Sequence, residues 1–280
     1  MKVKGSFGAR PEVEFPKKSS PDGKLALSTQ IKGDGAKVAD GDLVIAKYVG
    51  YAWRKASDPK LLGSSYQGAG PGAFPSWNLV PGLKKALVGS KVGSRVVAVI
   101  PPKEGYGTQG SARLQVTGED TLVYVLDVVG TYPKGASVEA PKALDEAGLP
   151  TVSGDAVPTI GIPKGAAPSK LTVRALTQGT GDTVRSGQLL AIQYVGALWR
   201  NGKVFSSSWG DNKVYAAVIG AERVIKGWDE ALVGQKVGSR LLVITPPAMA
   251  YGAKGQKGLP KYGIKSGDTL VYVIDVLGAY

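Results

Sequence analysis

The chain has 280 residues, enough for two domains of ordinary size, and sets 35 Lys and Arg against 22 Asp and Glu for a formal net charge of +13. It contains no cysteine and no histidine, which excludes disulfides, thiolate nucleophiles, imidazole acid–base chemistry and metal sites built on either residue. No apolar run reaches the ~18 residues of a transmembrane helix, and the lysines are scattered with no nucleic-acid motif beside them. No metal, cofactor or nucleic acid is therefore expected, whereas attraction to an anionic cell-wall or membrane surface is compatible with the charge.

Taken in chain order, the elements come twice. PEVEFPKKSSP (11–21) returns as PTIGIPKGAAP (158–168), and the strand pattern GDLVIAKYVG (41–50) returns as GQLLAIQYVG (187–196). NLVPGLKKALVG (78–89) returns as RVIKGWDEALVG (223–234), in each copy the one short amphipathic helix, closed in the second by Gly234 as C-cap. GSRVVAVIPP returns as GSRLLVITPP, a strand stopped in the second copy by Pro246–Pro247, and DTLVYVLDVVGTY (120–132) returns as DTLVYVIDVLGAY (268–280). In the last strand Leu270, Tyr272, Ile274 and Val276 alternate against Val271, Val273 and Asp275, which predicts one face on a core. A period of domain size means two copies of one domain. The copies differ in their loops, the second having three more residues between Gly252 and Asp268 than the first has between Gly107 and Asp120. The expected organisation is a domain over 1–132, a Pro/Ala/Gly-rich linker over 133–157 with one helical turn around Ala143–Ala147, and a domain over 158–280. The fold class is α+β, each domain a curved antiparallel sheet wrapped around one short helix. One difference stands out: the helix of the second copy begins with Gly227–Trp228, where the first has Gly82–Leu83.

The blocks YVG, GKVFSSS, VIKGWDEAL, VGQKVGSR, AYG and GDTLVYVIDV, in this order over residues 169–280, resemble the FKBP-type peptidyl-prolyl cis-trans isomerases; residues 24–132 resemble a second, more divergent copy. The tandem is similar to exported actinobacterial FKBP lipoproteins. That likeness implies an extracytoplasmic location, with an export signal and anchor cysteine lying before residue 1; an ordinary soluble protein is an equally compatible reading of the sequence. In the second copy the resemblance implies a proline-binding pocket with Trp228 as floor and Tyr194, Phe205, Tyr215, Val224, Ile225, Ile264 and Tyr272 as walls. The Tyr251 hydroxyl would bond the carbonyl preceding the proline, and the Ile225 N–H a second carbonyl. Gly227 is expected to let the chain turn tightly before Trp228. Ser206 stands where the family usually has an aspartate, which lowers the expectation of tight macrolide binding, and Asp211 is a candidate substitute for the charge. In the first copy Leu62, Gly63 and Leu83 replace Phe205, Ser206 and Trp228, while Tyr48, Phe74, Val80, Tyr106, Val116 and Tyr124 keep the outline. Trp77 is a candidate to refill the floor.

The implied activity is isomerisation of proline-containing polypeptides to assist folding, mainly in the second domain. Such a reaction suits a chain without histidine or cysteine, because it needs neither proton transfer nor covalent chemistry. The alternative reading is a chaperone-like module that holds extended or proline-containing chains with little turnover. For the first copy, weak isomerase and binding or structural module stand equal.

Overall fold

The computed structural model describes residues 1–55, 59–68, 70–139, 146–154, 156–252 and 258–280, so the helical turn expected around Ala143–Ala147 lies largely outside the described residues. The chain forms two compact units, Met1–Thr131 and Tyr132–Tyr280. The first contains β1 (Lys2–Lys4), β2 (Glu12–Glu14), β3 (Ala26–Ile31), β4 (Leu43–Trp53), β5 (Pro59–Ser64), β6 (Gly72–Pro75), α1 (Pro81–Leu87), β7 (Arg95–Ile100) and β8 (Thr121–Tyr132). The second contains β9 (Thr151–Ser153), β10 (Thr159–Gly161), β11 (Thr172–Thr177), β12 (Leu189–Leu198), β13 (Val204–Ser207), β14 (Tyr215–Val218), α2 (Lys226–Leu232), β15 (Arg240–Thr245) and β16 (Leu270–Ala279).

Each unit has one six-stranded antiparallel sheet, ordered β3-β7-β8-β4-β5 with β6 also on β4, and β11-β15-β16-β12-β13 with β14 also on β12. In the second unit Leu241 and Val243 of β15 join Leu270, Tyr272, Ile274 and Val276 of β16 on the helix side. Their alternate neighbours Leu242, Ile244, Val271 and Val273 form a separate apolar layer on the other side. The period of two thus runs through strands buried on both faces, not on the single face expected.

The outer layers come from the segments preceding each sheet. Val152, Ile160 and Ile162, from or beside the β9–β10 hairpin, pack with Trp199 and Trp209 on the outer face. In the first unit Val3 and Val13 of β1–β2 pack on Val49, Val97 and Val125. Residues 133–157, read from composition as a linker, therefore include part of this covering layer.

Under each cover lies a buried ion pair. Arg95 meets Asp127 through Nε–Oδ1 at 2.6 Å and Nη2–Oδ2 at 2.7 Å, and also donates to the carbonyls of Gly5, Ser6 and Ala9, while the Gly8 N–H donates to Asp127. Arg240 and Asp275 repeat the fork at 2.6 and 2.9 Å, with Ser137 and the Val138 N–H as further partners. These hydrogen bonds offset the desolvation of two charges and tie each covering segment to its sheet.

The helices have the expected places. In α2 Trp228, Ala231 and Leu232 are buried, the i, i+3, i+4 stripe of an amphipathic helix, and Gly234 at φ +87° ends it. Gly227 has a different reason from the tight turn expected. A Cβ there would meet Thr245 Cγ2 at 2.3 Å, as one on Gly82 would meet Ile100 Cγ2 at 2.4 Å, so glycine lets each helix lie close against its sheet.

Candidate functional site

In the second unit the space between α2 and the concave sheet is a cavity of about 270 Å³. Trp228, 5 % exposed, forms its base. The indole is met edge-on by Tyr194 and Tyr272, each with ring centroids at 5.2 Å, and by Tyr215 at 6.4 Å. Phe205 meets Tyr272 at 5.7 Å and 86°, and Tyr194 meets Tyr215 at 5.6 Å and 74°. Each such pair contributes about 0.5–1.5 kcal/mol beyond its buried area, so the five rings hold one another in place. Gly196 on β12 makes the room, because a Cβ would stand 2.7 Å from Phe205 Cζ and 2.9 Å from Tyr272 Cε1.

Polar groups are few. The Tyr194 hydroxyl pairs with Ser206 Oγ at 2.8 Å, so serine keeps a hydrogen bond at that wall without a charge. The double proline ends β15, Pro247–Met249 turns once as a 3₁₀ helix, and Tyr251 follows half-buried in the cavity wall. Its hydroxyl has no hydrogen-bond partner among the described residues. Burial raises the pKa of Tyr251, Tyr194 and Tyr272 above the usual phenol value, so all three phenols are neutral at ordinary pH.

The structure brings Trp228, Tyr194, Phe205, Tyr215, Val224, Ile225, Ile264, Tyr251, Tyr272 and Ser206 to this cavity. Asp211 is exposed and does not line it; its charge acts at a distance, raising the pKa of Tyr194. Sequence reasoning missed Arg223, Leu259 and Tyr262, which also line the cavity. Leu259 and Tyr262 belong to the loop lengthened in the second copy, where a bridge between Leu259 and Ile264 encloses the turn Pro260–Tyr262. Asp229 was missed as well. Its carboxylate accepts from the N–H groups of Gly220 and Glu222, at 2.6 and 2.9 Å, and so fixes the loop leading to Arg223, Val224 and Ile225.

The corresponding place in the first unit is filled differently. Phe74, Leu83, Val116 and Tyr124 share one apolar cluster, with Tyr48, Leu62, Val80 and Tyr106 packed against it. Phe74 lies opposite Val44, the position that Ala217 takes opposite Leu190 in the second unit. Its ring meets Tyr48 at 5.3 Å and 86°, close to the 5.2 Å and 76° at which Trp228 meets Tyr194. A phenyl ring from the sheet edge thus meets the tyrosine that corresponds to Tyr194, and the helix contributes Leu83 in place of an indole. Trp77, the residue expected to refill the floor, is half-buried and lies outside that cluster. Gly72 takes the register position of Tyr215, and a Cβ on it would press on Tyr48 Cε1 at 2.8 Å and Phe74 Cε2 at 3.0 Å. The first unit therefore has neither the tyrosine wall nor the indole floor.

The second unit is thus a curved antiparallel sheet around one short helix with an aromatic cavity between them. Residues 35–129 and 181–277 each match the FKBP-type peptidyl-prolyl cis-trans isomerase family, and the chain belongs to it as a tandem of two such domains. An FK506-binding protein of Streptomyces anulatus is 34 % identical over 120 residues, covering 43 % of this chain and 94 % of its own. The peptidyl-prolyl cis-trans isomerase FKBP9 of Mus musculus is 28 % identical over 198 residues, covering 70 % of this chain and 28 % of its own length. Among solved structures, the three FKBP domains of wheat FKBP73 are 23 % identical with a TM-score of 0.37, covering 92 % of this chain and 96 % of theirs.

Proposed function

We propose that the second unit carries most of the isomerase turnover, and that it works by desolvating and twisting the Xaa-Pro amide. The barrier to this rotation is about 18–20 kcal/mol because it breaks amide resonance. The twisted amide is less dipolar than the planar one, so an apolar, water-poor enclosure favours it over the ground state. Trp228 supports the prolyl ring, the tyrosines and Phe205 exclude water, and the neutral Tyr251 hydroxyl donates to the carbonyl preceding the proline. The Ile225 N–H at the entrance to α2 receives a second carbonyl.

The observation that carries this reading is the indole floor edged by three tyrosines, beside one tyrosine hydroxyl without a partner among the described residues. Tyr251→Phe removes only that hydroxyl and should lower kcat/KM on an Xaa-Pro peptide by about three- to tenfold, the worth of about one hydrogen bond, with little change in Tm. An unchanged rate would refute the role.

For the first unit, Leu83 in place of the indole and Gly72 in place of the Tyr215 wall favour a second reading, a module that holds or positions polypeptide chains with little turnover. The same cavity in the second unit is proposed to take macrolides such as FK506, weakened by Ser206 where the family usually has a carboxylate. An extracytoplasmic location beside an anionic surface is also proposed. The +13 charge supports it, and salt-reversible co-sedimentation with anionic vesicles tests the surface attraction.

A further inference from the structure

Arg223 is the one charged side chain among the described residues that line the aromatic cavity. It is exposed, and none of the ion pairs or hydrogen bonds formed among the described residues involves its guanidinium. It also lines an open groove that continues from the cavity past Ala248, Met249 and Ala250, with Val224, Ile225 and Tyr251 common to both. An extended chain with its prolyl ring over Trp228 that leaves along this groove runs beside Arg223.

The other charges nearby leave the position positive. Asp229 is occupied by two backbone N–H groups, and Lys226 faces Glu230 at 3.6 Å. Glu222 lines the groove and opposes Arg223 in part, while Lys261 sits over the Tyr262 ring at the other rim. Asp211 lies outside the cavity lining, toward Tyr194. In the repeat alignment Arg223 corresponds to Asn78, so the charge belongs to the second unit alone.

Resting on the isomerase reading above, we infer that Arg223 makes the second unit selective for prolyl substrates with a carboxylate side chain within about two residues of the proline. Successive residues of an extended chain advance about 3.3 Å, so this is the span over which a flanking side chain passes the mouth of the cavity. An exposed pair of this kind is worth a small factor and is sensitive to salt.

The test uses the full chain and one Xaa-Pro peptide with Glu, Ala or Lys placed two residues before, and in a second set two residues after, the proline. At about 20 mM salt, Glu should exceed Ala in kcat/KM by about two- to fivefold in one set, through KM, with Lys below Ala by a similar factor; at about 0.5 M the three should converge. Arg223→Gln should bring the Glu:Ala ratio to about one, Arg223→Glu should invert the order, and Glu222→Gln should widen it. Equal rates on all peptides, or a ratio unchanged in Arg223→Gln, overturns this inference and leaves the isomerase reading intact. A chain that accelerates none of them, the Ala peptide included, overturns both.

Discussion

Replacing Trp228 by leucine gives the second unit the helix residue of the first. In the second unit no ring corresponds to Phe74, because Ala217 takes its place in register, so the leucine leaves the floor unfilled. The substitution removes the edge-on contacts at 5.2, 5.2 and 6.4 Å, and the base recedes from any bound ring. A prolyl ring buries three methylenes at about 0.8 kcal/mol each, and a floor withdrawn from beneath it forfeits between half of that and all of it, about 1.2–2.4 kcal/mol. Spread over the transition-state complex, this is a loss of about eight- to sixtyfold in kcat/KM. The assay is isomerisation of one Xaa-Pro peptide by the full-length protein, well below its Tm, with far-UV circular dichroism confirming that the fold is kept. A folded variant within twofold of the starting protein would refute the argument that the indole supports the reacting proline.

Other outcomes follow from the same geometry. Arg240→Ala leaves Asp275 buried without its partner and should destabilise the second unit by about 3–5 kcal/mol, read as a lowered denaturation midpoint; a shift under 1 kcal/mol would contradict the role given to the fork. Between pH 6 and 9 kcat/KM should be flat, since burial keeps the Tyr194, Tyr251 and Tyr272 phenols neutral and there is no histidine; a bell-shaped profile there would reveal an acid–base step. Burial and the adjacent Asp127 push the Tyr66 phenol up to about 12 from an unfolded value near 10. The folded state thus binds this proton more tightly, and the associated stability is present below pH 10 and lost as pH rises to about 12. Tyr66→Phe, followed by denaturant unfolding at pH 9 and 11.5, should reduce that decline.

The elements around the site were legible because each signals locally. The repeat, the i, i+3, i+4 stripe ending at Gly234 and the period-two strands locate the helix and the sheet, and ordered blocks place Trp228, Tyr194, Phe205 and Tyr251. What escaped depends on non-local pairing. β1, β2, β9 and β10 are three-residue strands within Pro- and Gly-containing stretches, too short for a period to show. Nothing in the strand pattern marks Arg95 and Arg240 as buried, because the segments that cover them lie far away in sequence. Phe74 was assigned to the outline, yet its alignment with Ala217 follows only from its register opposite Val44. The reason for Gly227 lay in Thr245, a strand away in sequence.

The central claim, that the aromatic cavity of the second unit performs the isomerisation, is tested most directly by comparing two full-length variants on one Xaa-Pro peptide. One is Trp228→Ala with Tyr251→Phe, and the other is Leu83→Ala with Tyr106→Phe at the corresponding places of the first unit. If the account holds, the first variant loses most of the catalysed rate while staying folded, and the second stays within about twofold of the starting protein, the span of an interaction worth about 0.4 kcal/mol. Equal losses in the two, a larger loss in the second, or no acceleration by the starting protein would contradict it.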